Sequence, residues 1–437
     1  MLARPWVWYA LFAAYFGMQM VLRLLIGPAL ELDEAEAFFL ARTLAPGYNA
    51  QPPLYFWLQW GVFQGLGDGI LALALLKALL LGGTLAVLFT LLRGAVPVAA
   101  AGVAAASLAL LPQVVWEAQR ALTHSVLALF MAVCLLALVW RAVMRGGWGD
   151  YLAVGVAGGL TVLAKYNAAL WPLALLLAAM ASPDLRRRIR PERLAVAALV
   201  AAAVVAPHGL WLWENGAMGG AGFDKLGVQG SAALARLQGT GALVAALVAF
   251  VALALVVIGP AWWLRGGARP APRLLAFMAL AGAMALLVLW VFVLISGATA
   301  IKERWLLPVL WPVVPAALLW LWPQIGLRGR RWLGGGIAAL WLVAMALLPW
   351  ASLRDPGYRA ADFGVLNDRL DPDLPVASDS LWLLGNLALI APERRLVWGA
   401  WPEGPYLWLA RGVEGAGVID ISRGLRPYPV SVTLTGD

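Results

Sequence analysis

Long apolar runs that are almost free of charge constrain the fold of this sequence more than any other feature. A helix that crosses the hydrocarbon core of a bilayer needs about 20 mainly apolar residues. Nine runs fit this rule: 6–27, 70–92, 95–112, 122–143, 194–213, 240–264, 273–296, 305–323 and 332–350. Between 151 and 182, two shorter runs flank Lys165-Tyr166-Asn167, and we expect a helical hairpin with these residues at its tip. The sequence thus predicts about 11 transmembrane segments.

Composition excludes a soluble protein. Of the 437 residues, 63% are hydrophobic and 13% are charged, whereas a soluble domain carries about 25% charged residues. The net charge of +9 does not indicate a nucleic-acid partner, because most arginines lie in short loops between apolar runs. The single cysteine, Cys134, excludes an internal disulfide. The first run lacks a small-residue cleavage site, which predicts an uncleaved first span.

The distribution of charge predicts the orientation. With the N-terminus inside, the cytoplasmic ends carry three acids, Asp150, Asp184 and Glu192. They carry these arginines: Arg4, Arg93, Arg141, Arg145, Arg186, Arg187, Arg188, Arg190, Arg193, Arg265, Arg269, Arg273, Arg328, Arg330 and Arg331. Such an excess of bases is typical of the cytoplasmic side. We therefore expect a multi-pass protein of the bacterial inner membrane, with its active site and C-terminus in the periplasm.

Two domains are predicted. Residues 1–350 form the transmembrane domain, and its first periplasmic loop, 28–68, contains two amphipathic helices at Asp33–Leu44 and Pro53–Gly65. Residues 351–437 form a small periplasmic α/β domain. Its predicted strands and helix are Pro375–Ala377, Leu396–Trp398, Val418–Ile421 and, for the helix, Leu381–Ile390.

Acidic residues cluster directly after the first span, at Glu31, Asp33, Glu34 and Glu36. Clustered carboxylates beside a membrane raise the pKa of at least one of them, and such a group can take a proton from a hydroxyl nucleophile. Asp33 is the first candidate for this catalytic role and Glu34 the second. The alternative is that these acids only stabilise the N-terminal end of a helix.

Basic residues on the predicted outer side oppose the orientation rule and require an anion. Lys302 and Arg304 precede a span, and Lys165 with Tyr166 lies at the hairpin tip. A lipid phosphate would supply the anion, since arginine and lysine bind phosphate oxygens. The alternative is snorkelling to the interface, which we also expect for Arg23.

Other candidates carry weaker signals. Glu117 is expected to pair with Arg120, although it is also a candidate for the substrate pocket. His124 and His208 fall at predicted outer ends of spans and are further pocket candidates. Together with Asp33 they offer ligands for a divalent metal, but their spacing predicts no particular metal site.

Four segments resemble the GT-C class of membrane glycosyltransferases, in particular the aminoarabinose transferases and the protein O-mannosyltransferases of the glycosyltransferase family 39 type. They are Leu32–Ala35, Tyr48–Tyr55, Leu163–Ala168 and Glu303–Pro308, of which the acidic pair followed by Pro-Pro-Leu is the most specific.

The resemblance implies an inverting enzyme that takes a sugar from a polyprenyl phosphate at the periplasmic face. The acceptor would be a hydroxyl or phosphate of lipid A, a polysaccharide or a protein. Asp33 would be the general base, while Lys165 and the pair Lys302–Arg304 would hold the carrier phosphate. Gln51 and Tyr55 would line the pocket.

Three positions depart from the aminoarabinose transferases. Gln51 stands in place of a lysine and Glu36 in place of an arginine, and His124 occupies a position where related members often have an aspartate. The donor sugar and acceptor are therefore expected to differ. Two other classes of function remain open: a flippase of lipid-linked sugars, whose charges would lie near the bilayer midplane, and a non-catalytic assembly or sensor protein.

Overall fold

The structure is a computed structural model, and it describes residues 2–216, 226–227, 232–266, 271–354, 357–412, 417–422 and 428–435. Helices make up most of this part of the chain. They are α1 (Pro5–Leu25), α2 (Leu32–Leu40), α3 (Leu54–Leu66), α4 (Ile70–Leu92), α5 (Val98–Ala106), α6 (Ala118–Arg120), α7 (His124–Arg145), α8 (Trp148–Ala164), α9 (Leu170–Ala181), α10 (Pro183–Arg186), α11 (Pro191–Glu214), α12 (Ala232–Trp262), α13 (Arg273–Ser296), α14 (Leu307–Leu310), α15 (Val313–Leu321), α16 (Leu327–Arg354), α17 (Phe363–Arg369) and α18 (Leu381–Ile390). The strands are β1 (Val376–Ser378), β2 (Leu396–Trp398), β3 (Tyr406–Arg411), β4 (Gly417–Asp420) and β5 (Pro429–Thr435).

The chain is a multi-pass membrane protein. Among the described residues, eight helices are long and apolar enough to cross a bilayer. A bent pair and the two shorter helices α8 and α9 occupy the remaining apolar segments predicted from the sequence. Large apolar side chains on the spans face outwards, as at Leu199, Ile295 and Leu342, whose exposed fractions are 70%, 81% and 71%. Lipid is the environment that covers such a surface.

The third apolar run is a broken span rather than a straight helix. After α5 and a short 3₁₀ turn, the chain bends by 78° and continues through a π-helical turn, Gln113–Glu117, into α6. Leu111 adopts an extended conformation at the bend because it precedes Pro112, and a proline disfavours the helical conformation of the residue before it. The bend brings Glu117 towards the site described below.

The predicted turn at Lys165–Asn167 is present between α8 and α9. Lys165 is extended and Tyr166–Ala169 form a 3₁₀ turn. The two arms pack on different neighbours, α8 on α7 and α11 and α9 on α13. Gly155 lets α11 approach closely, because a Cβ there would lie 2.5 Å from the carbonyl oxygen of Ala197. The turn is therefore held by two separate groups of helices.

The first loop contains both predicted helices, although α2 ends at Leu40 rather than at Leu44. The α2 helix begins with a capping box, in which the backbone N–H of Glu31 donates to the Glu34 carboxylate at 3.3 Å. One turn further on, the Glu36 carboxylate accepts a hydrogen bond of 2.6 Å from the amide of Asn49. This bond ties the end of the loop to α2.

The C-terminal sheet domain has five strands in the order β2-β1-β3-β5-β4. β1 pairs in parallel with β2 and β3, whereas β5 pairs antiparallel with β3 and β4. The sequence predicted β1, α18, β2 and β4, but not β3 or β5. The α18 helix connects β1 to β2 and packs against α2 of the first loop. This contact joins the sheet domain to the membrane helices.

Candidate active site

Three parts of the chain that are far apart in sequence meet beside α2. The Nδ2 of Asn167 donates to the backbone carbonyl of Trp305 at 2.7 Å, which joins the turn after α8 to the segment that carries Arg304. The Lys165 ammonium donates to the hydroxyl of Ser125 at 2.6 Å, which joins the same turn to the start of α7. The arrangement places cations from two separate segments next to the acidic helix.

Asp33 lies at the second position of α2 and is half-buried. Burial raises the pKa of its carboxyl above the ordinary value, while Arg304 is the cation that opposes this rise most strongly, followed by Lys77 and Lys165. The carboxylate also accepts a hydrogen bond from the Thr123 backbone. Of the cations that the sequence placed with Asp33, Arg304 and Lys165 thus lie within electrostatic range of its carboxylate. A carboxylate with a raised pKa is a better proton acceptor than an ordinary one.

Glu34 points away from Asp33 into a buried cluster of cations. Arg23 donates from Nε and Nη2 to the Glu34 carboxylate at 3.0 and 2.9 Å. Arg359 donates to both carboxylate oxygens at 3.1 Å, and the Lys77 ammonium lies 3.5 Å away. We call these four residues the Glu34 ion cluster. Burial raises the pKa of Glu34, but the three cations outweigh it and hold the pKa well below its ordinary value.

Two expectations about charge partners were wrong. Arg23 does not snorkel to the interface, because its guanidinium is buried against Glu34. Glu117 forms no ion pair with Arg120 among the described residues, and it lies instead within electrostatic range of Glu303, Arg304 and Lys165. The Arg23 prediction failed because Glu34 of α2 offers its guanidinium a buried partner of opposite charge.

Lys302 differs from Arg304 in its exposure and in its effect on Asp33. Its side chain is exposed, and the cations that act most strongly on Asp33 do not include it. Arg304, two residues further on, is half-buried and faces the site. Lys302 directly precedes the short 3₁₀ turn Glu303–Trp305, and Arg304 lies within that turn.

Tyr166 and His208 form a hydrogen-bonded stack at the edge of the first loop. His208 Nδ1 lies 2.9 Å from the carbonyl oxygen of Pro46, and its Nε2 lies 2.9 Å from the Tyr166 hydroxyl. A carbonyl only accepts, so Nδ1 carries the proton, and in the neutral ring Nε2 accepts from Tyr166. The ring also stacks on Trp211 with centroids 5.7 Å apart. The Tyr166 proton is thus committed to His208.

The other predicted pocket residues lie around the start of α7. His124 is buried, and its ring packs edge-on against Phe56 at 4.8 Å and close to Tyr55 at 5.4 Å. Tyr55 is buried near both Asp33 and Glu34, and burial is the main cause that raises the pKa of its hydroxyl. Gln51 is half-buried in the loop, where its backbone N–H donates to the Asn49 side chain at 2.8 Å. Within the part of the chain that the structure describes, no three His, Cys, Asp or Glu side chains are placed to hold a metal ion.

Three residues of the Glu34 ion cluster were not predicted to belong to the site. Lys77 had a usable signal, because it is a single charge within the apolar run 70–92 and charges at membrane depth are functional candidates. Arg23 had the same kind of signal but was assigned to the interface. Arg359 had none, because it is one of several arginines in a polar segment.

The bundle of apolar helices, the acidic first loop and the small sheet domain define the GT-C fold. The fold matches that of ArnT from Cupriavidus metallidurans bound to undecaprenyl phosphate, with a TM-score of 0.68 and 15% identity over 97% of each chain. The apo structure of the same protein matches with a TM-score of 0.67 and the same identity and coverage.

Residues 50–211 match the family model described as dolichyl-phosphate-mannose-protein mannosyltransferase. The chain is 39% identical over 257 residues to the lipopolysaccharide core galacturonosyltransferase RgtB of Rhizobium johnstonii. The aligned residues cover 58% of this chain and 52% of RgtB. It is 38% identical over 255 residues to RgtA of the same organism, covering 56% and 50%. The chain spans about half the length of these two relatives. These matches confirm the resemblance to GT-C glycosyltransferases.

Proposed function

We propose that this protein transfers a sugar from a polyprenyl phosphate to a hydroxyl of a lipopolysaccharide core, with inversion at the sugar carbon. The reaction takes place at the periplasmic face of the bacterial inner membrane. The galacturonosyl group is the proposed sugar, because the relatives RgtA and RgtB are named for transferring it to the lipopolysaccharide core. The polyprenyl phosphate carrier is supported by the undecaprenyl phosphate named in the ArnT structure.

The observation that carries the proposal is that Arg304 and Lys165 are among the cations that act most strongly on the Asp33 carboxylate. The acceptor oxygen attacks the anomeric carbon and gives its proton to the Asp33 carboxylate, while the bond from that carbon to the phosphate oxygen breaks. Arg304 and Lys165 stabilise the negative charge of the departing polyprenyl phosphate. Glu34 is committed to three cations, so we assign it a structural role rather than that of the base.

The test compares Asp33→Asn with Glu36→Gln in purified protein reconstituted in lipid nanodiscs. Glu36 lies one turn further along α2, so its variant is a matched loss of one carboxylate. With polyprenyl-phosphate galacturonic acid and lipopolysaccharide core, Asp33→Asn should transfer sugar on the order of 10²- to 10⁴-fold more slowly, the usual contribution of a general base. Glu36→Gln should retain most of the activity. The product, its mass and its anomeric configuration are measured by mass spectrometry and NMR.

The flippase alternative gives a different result in the same preparation. It predicts movement of a labelled lipid-linked sugar across liposome membranes and no transfer by the unmodified protein. Equal transfer rates for Asp33→Asn and the parent would remove Asp33 from the mechanism. Retention of the anomeric configuration would contradict a single displacement.

A further inference from the structure

The sheet domain reaches the acidic helix through a buried arginine. Arg359 lies in the 3₁₀ turn Gly357–Ala360, which precedes α17 and the strands of the domain, and 5% of it is exposed. Its Nη2 donates to both oxygens of Glu34 at 3.1 Å and to the backbone carbonyl of Arg120 at 2.6 Å. One guanidinium therefore ties α2 to the broken span, and neither contact involves the residues proposed to hold phosphate.

The domain also contacts Leu30, which lies just before α2, and Ala35 on the helix itself. The Leu30 N–H donates to the side-chain oxygen of Asn386 at 2.7 Å, and the Leu30 carbonyl accepts from the indole of Trp382 at 2.9 Å. Gly385 lies so close to α2 that a Cβ would be 2.2 Å from the Ala35 carbonyl oxygen. Because α18 carries Asn386, Trp382 and Gly385, any shift of the domain would move α2.

Compensating the charge of Glu34 does not by itself account for Arg359, which also acts on the neighbouring buried carboxylate of Glu31. Arg23 already donates from two nitrogens to the Glu34 carboxylate, and Lys77 supplies a second cation 3.5 Å from it. A buried carboxylate requires a paired charge, and these two residues provide one from the membrane helices. What Arg359 adds is a rigid planar link between the sheet domain and the helix that carries Asp33.

We propose that Arg359 is a positioning residue: by holding Glu34, it fixes the place of α2 and so keeps Asp33 in line with the acceptor hydroxyl. This inference rests on the proposed function, because it assigns Arg359 to the step that Asp33 performs. A displacement of about 1 Å at a reacting group costs on the order of 100-fold in rate. The donor phosphate is held by other residues, so its binding does not depend on Arg359.

Kinetics of Arg359→Met test the proposal, with Arg394→Met as the control. Arg394 is half-buried and donates to Asn367 and to the Asp371 carbonyl at 3.0 and 2.7 Å, within the sheet domain and away from α2. In Arg359→Met, kcat should fall by roughly 10- to 100-fold, while the KM for the donor stays within about twofold. Arg394→Met should keep kcat within about twofold. A kcat that is unchanged in Arg359→Met, or reduced equally in both variants, would overturn the proposal.

Two further measurements separate positioning from folding and from charge. Arg359→Lys keeps the charge but cannot reach Glu34 and the Arg120 carbonyl with one planar group, so its kcat should lie between those of the parent and Arg359→Met. A parental kcat in Arg359→Lys would show that charge alone matters. Hydrogen exchange of the α2 amides should be faster in Arg359→Met than in the parent, with exchange in α7 unchanged.

The hydrogen-exchange experiment needs no substrate. It therefore tests the positioning role of Arg359 separately from the proposed transferase function. If the parent transfers no sugar but α2 loosens in Arg359→Met, the proposed function fails and the mechanical link stands. If α2 exchanges at the parental rate in Arg359→Met, the positioning role is wrong whatever the activity. Binding of undecaprenyl phosphate, the probe for the donor site, should be equal in the parent and in Arg359→Met.

Discussion

Replacing Glu34 with glutamine should release α2 from its surroundings. The substitution keeps the shape of the side chain but removes the charge that Arg23, Lys77 and Arg359 share, and the exposed fractions of these three side chains are 8%, 9% and 2%. Breaking a buried ion pair costs about 3–5 kcal/mol, because it leaves uncompensated charge in a medium of low dielectric. All three cations share one carboxylate, so this cost is not multiplied by three.

The cost appears as a lower free energy of opening for α2. Since 1.36 kcal/mol is a factor of ten, 3–5 kcal/mol corresponds to hydrogen exchange of the α2 amides that is roughly 10²- to 10⁴-fold faster. Mass spectrometry of peptides that cover Leu32–Leu40 provides the measurement. The control is Asp184→Asn, since Asp184 pairs with Arg273 at a site where the two side chains are 51% and 64% exposed. A surface pair of this kind contributes about 0–1 kcal/mol.

The effect has a defined dependence on pH. The pKa of Glu34 is lower in the folded protein than in the unfolded chain, so its stabilising effect is complete at pH values above the ordinary glutamate pKa of about 4.3. It is lost only as the pH falls through the lowered value. After correction for intrinsic exchange rates, the difference in α2 protection between the parent and Glu34→Gln should be the same from pH 5 to pH 8, a range set by that pKa of about 4.3. Exchange in Glu34→Gln that is within threefold of the parent would refute the estimate of ~3–5 kcal/mol.

Three further predictions concern the residues around Asp33. The kcat/KM for transfer should rise with pH along an acid limb above the ordinary aspartate pKa of about 3.9, because burial raises the pKa of Asp33 and the base must be ionised. Arg304→Met should move this limb to higher pH, and an unmoved limb would show that Arg304 does not act on Asp33. Arg304→Met should also weaken binding of undecaprenyl phosphate by roughly 10- to 100-fold, as expected for the loss of a hydrogen bond to a charged group. Lys302→Met should weaken this binding far less. Gly385→Val should destabilise the docking of the sheet domain by about 1–3 kcal/mol, measured as faster exchange in α2, because its side chain would collide with the Ala35 carbonyl.

The sequence predicted the membrane helices from their long apolar runs. It pointed to the charged residues around Asp33 for a different physical reason. Residues that violate a strong rule need a partner, and Asp33, Lys165 and Arg304 all lie where the orientation rule disfavours them or where acids crowd. The structure brings these three together. The same logic applied to Lys77 would have found it as well.

Other features of the site and fold were not predicted, and the direction of Glu34 depends on contacts between residues that are far apart in the sequence. Glu34 faces away from Asp33 towards Arg23, Lys77 and the distant Arg359, and nothing near Arg359 in the sequence indicates that partner. Among the strands, β3 has no clear alternation, but β5 alternates apolar and hydroxyl residues from Val430 to Thr435 and could have been predicted. The bend after α5 required only that Pro112 be taken into account.

The separation of 325 positions between Glu34 and Arg359 has a consequence for biosynthesis. At about 5–20 residues per second, a ribosome needs roughly 15 to 65 seconds to travel from one codon to the other. During that interval the N-terminal helices and the first loop have been made, but Glu34 lacks its partner Arg359. A nascent chain interrupted before Arg359 would lack one of the three cations around Glu34, because the segment that completes the Glu34 ion cluster is made long after the helix that carries Glu34.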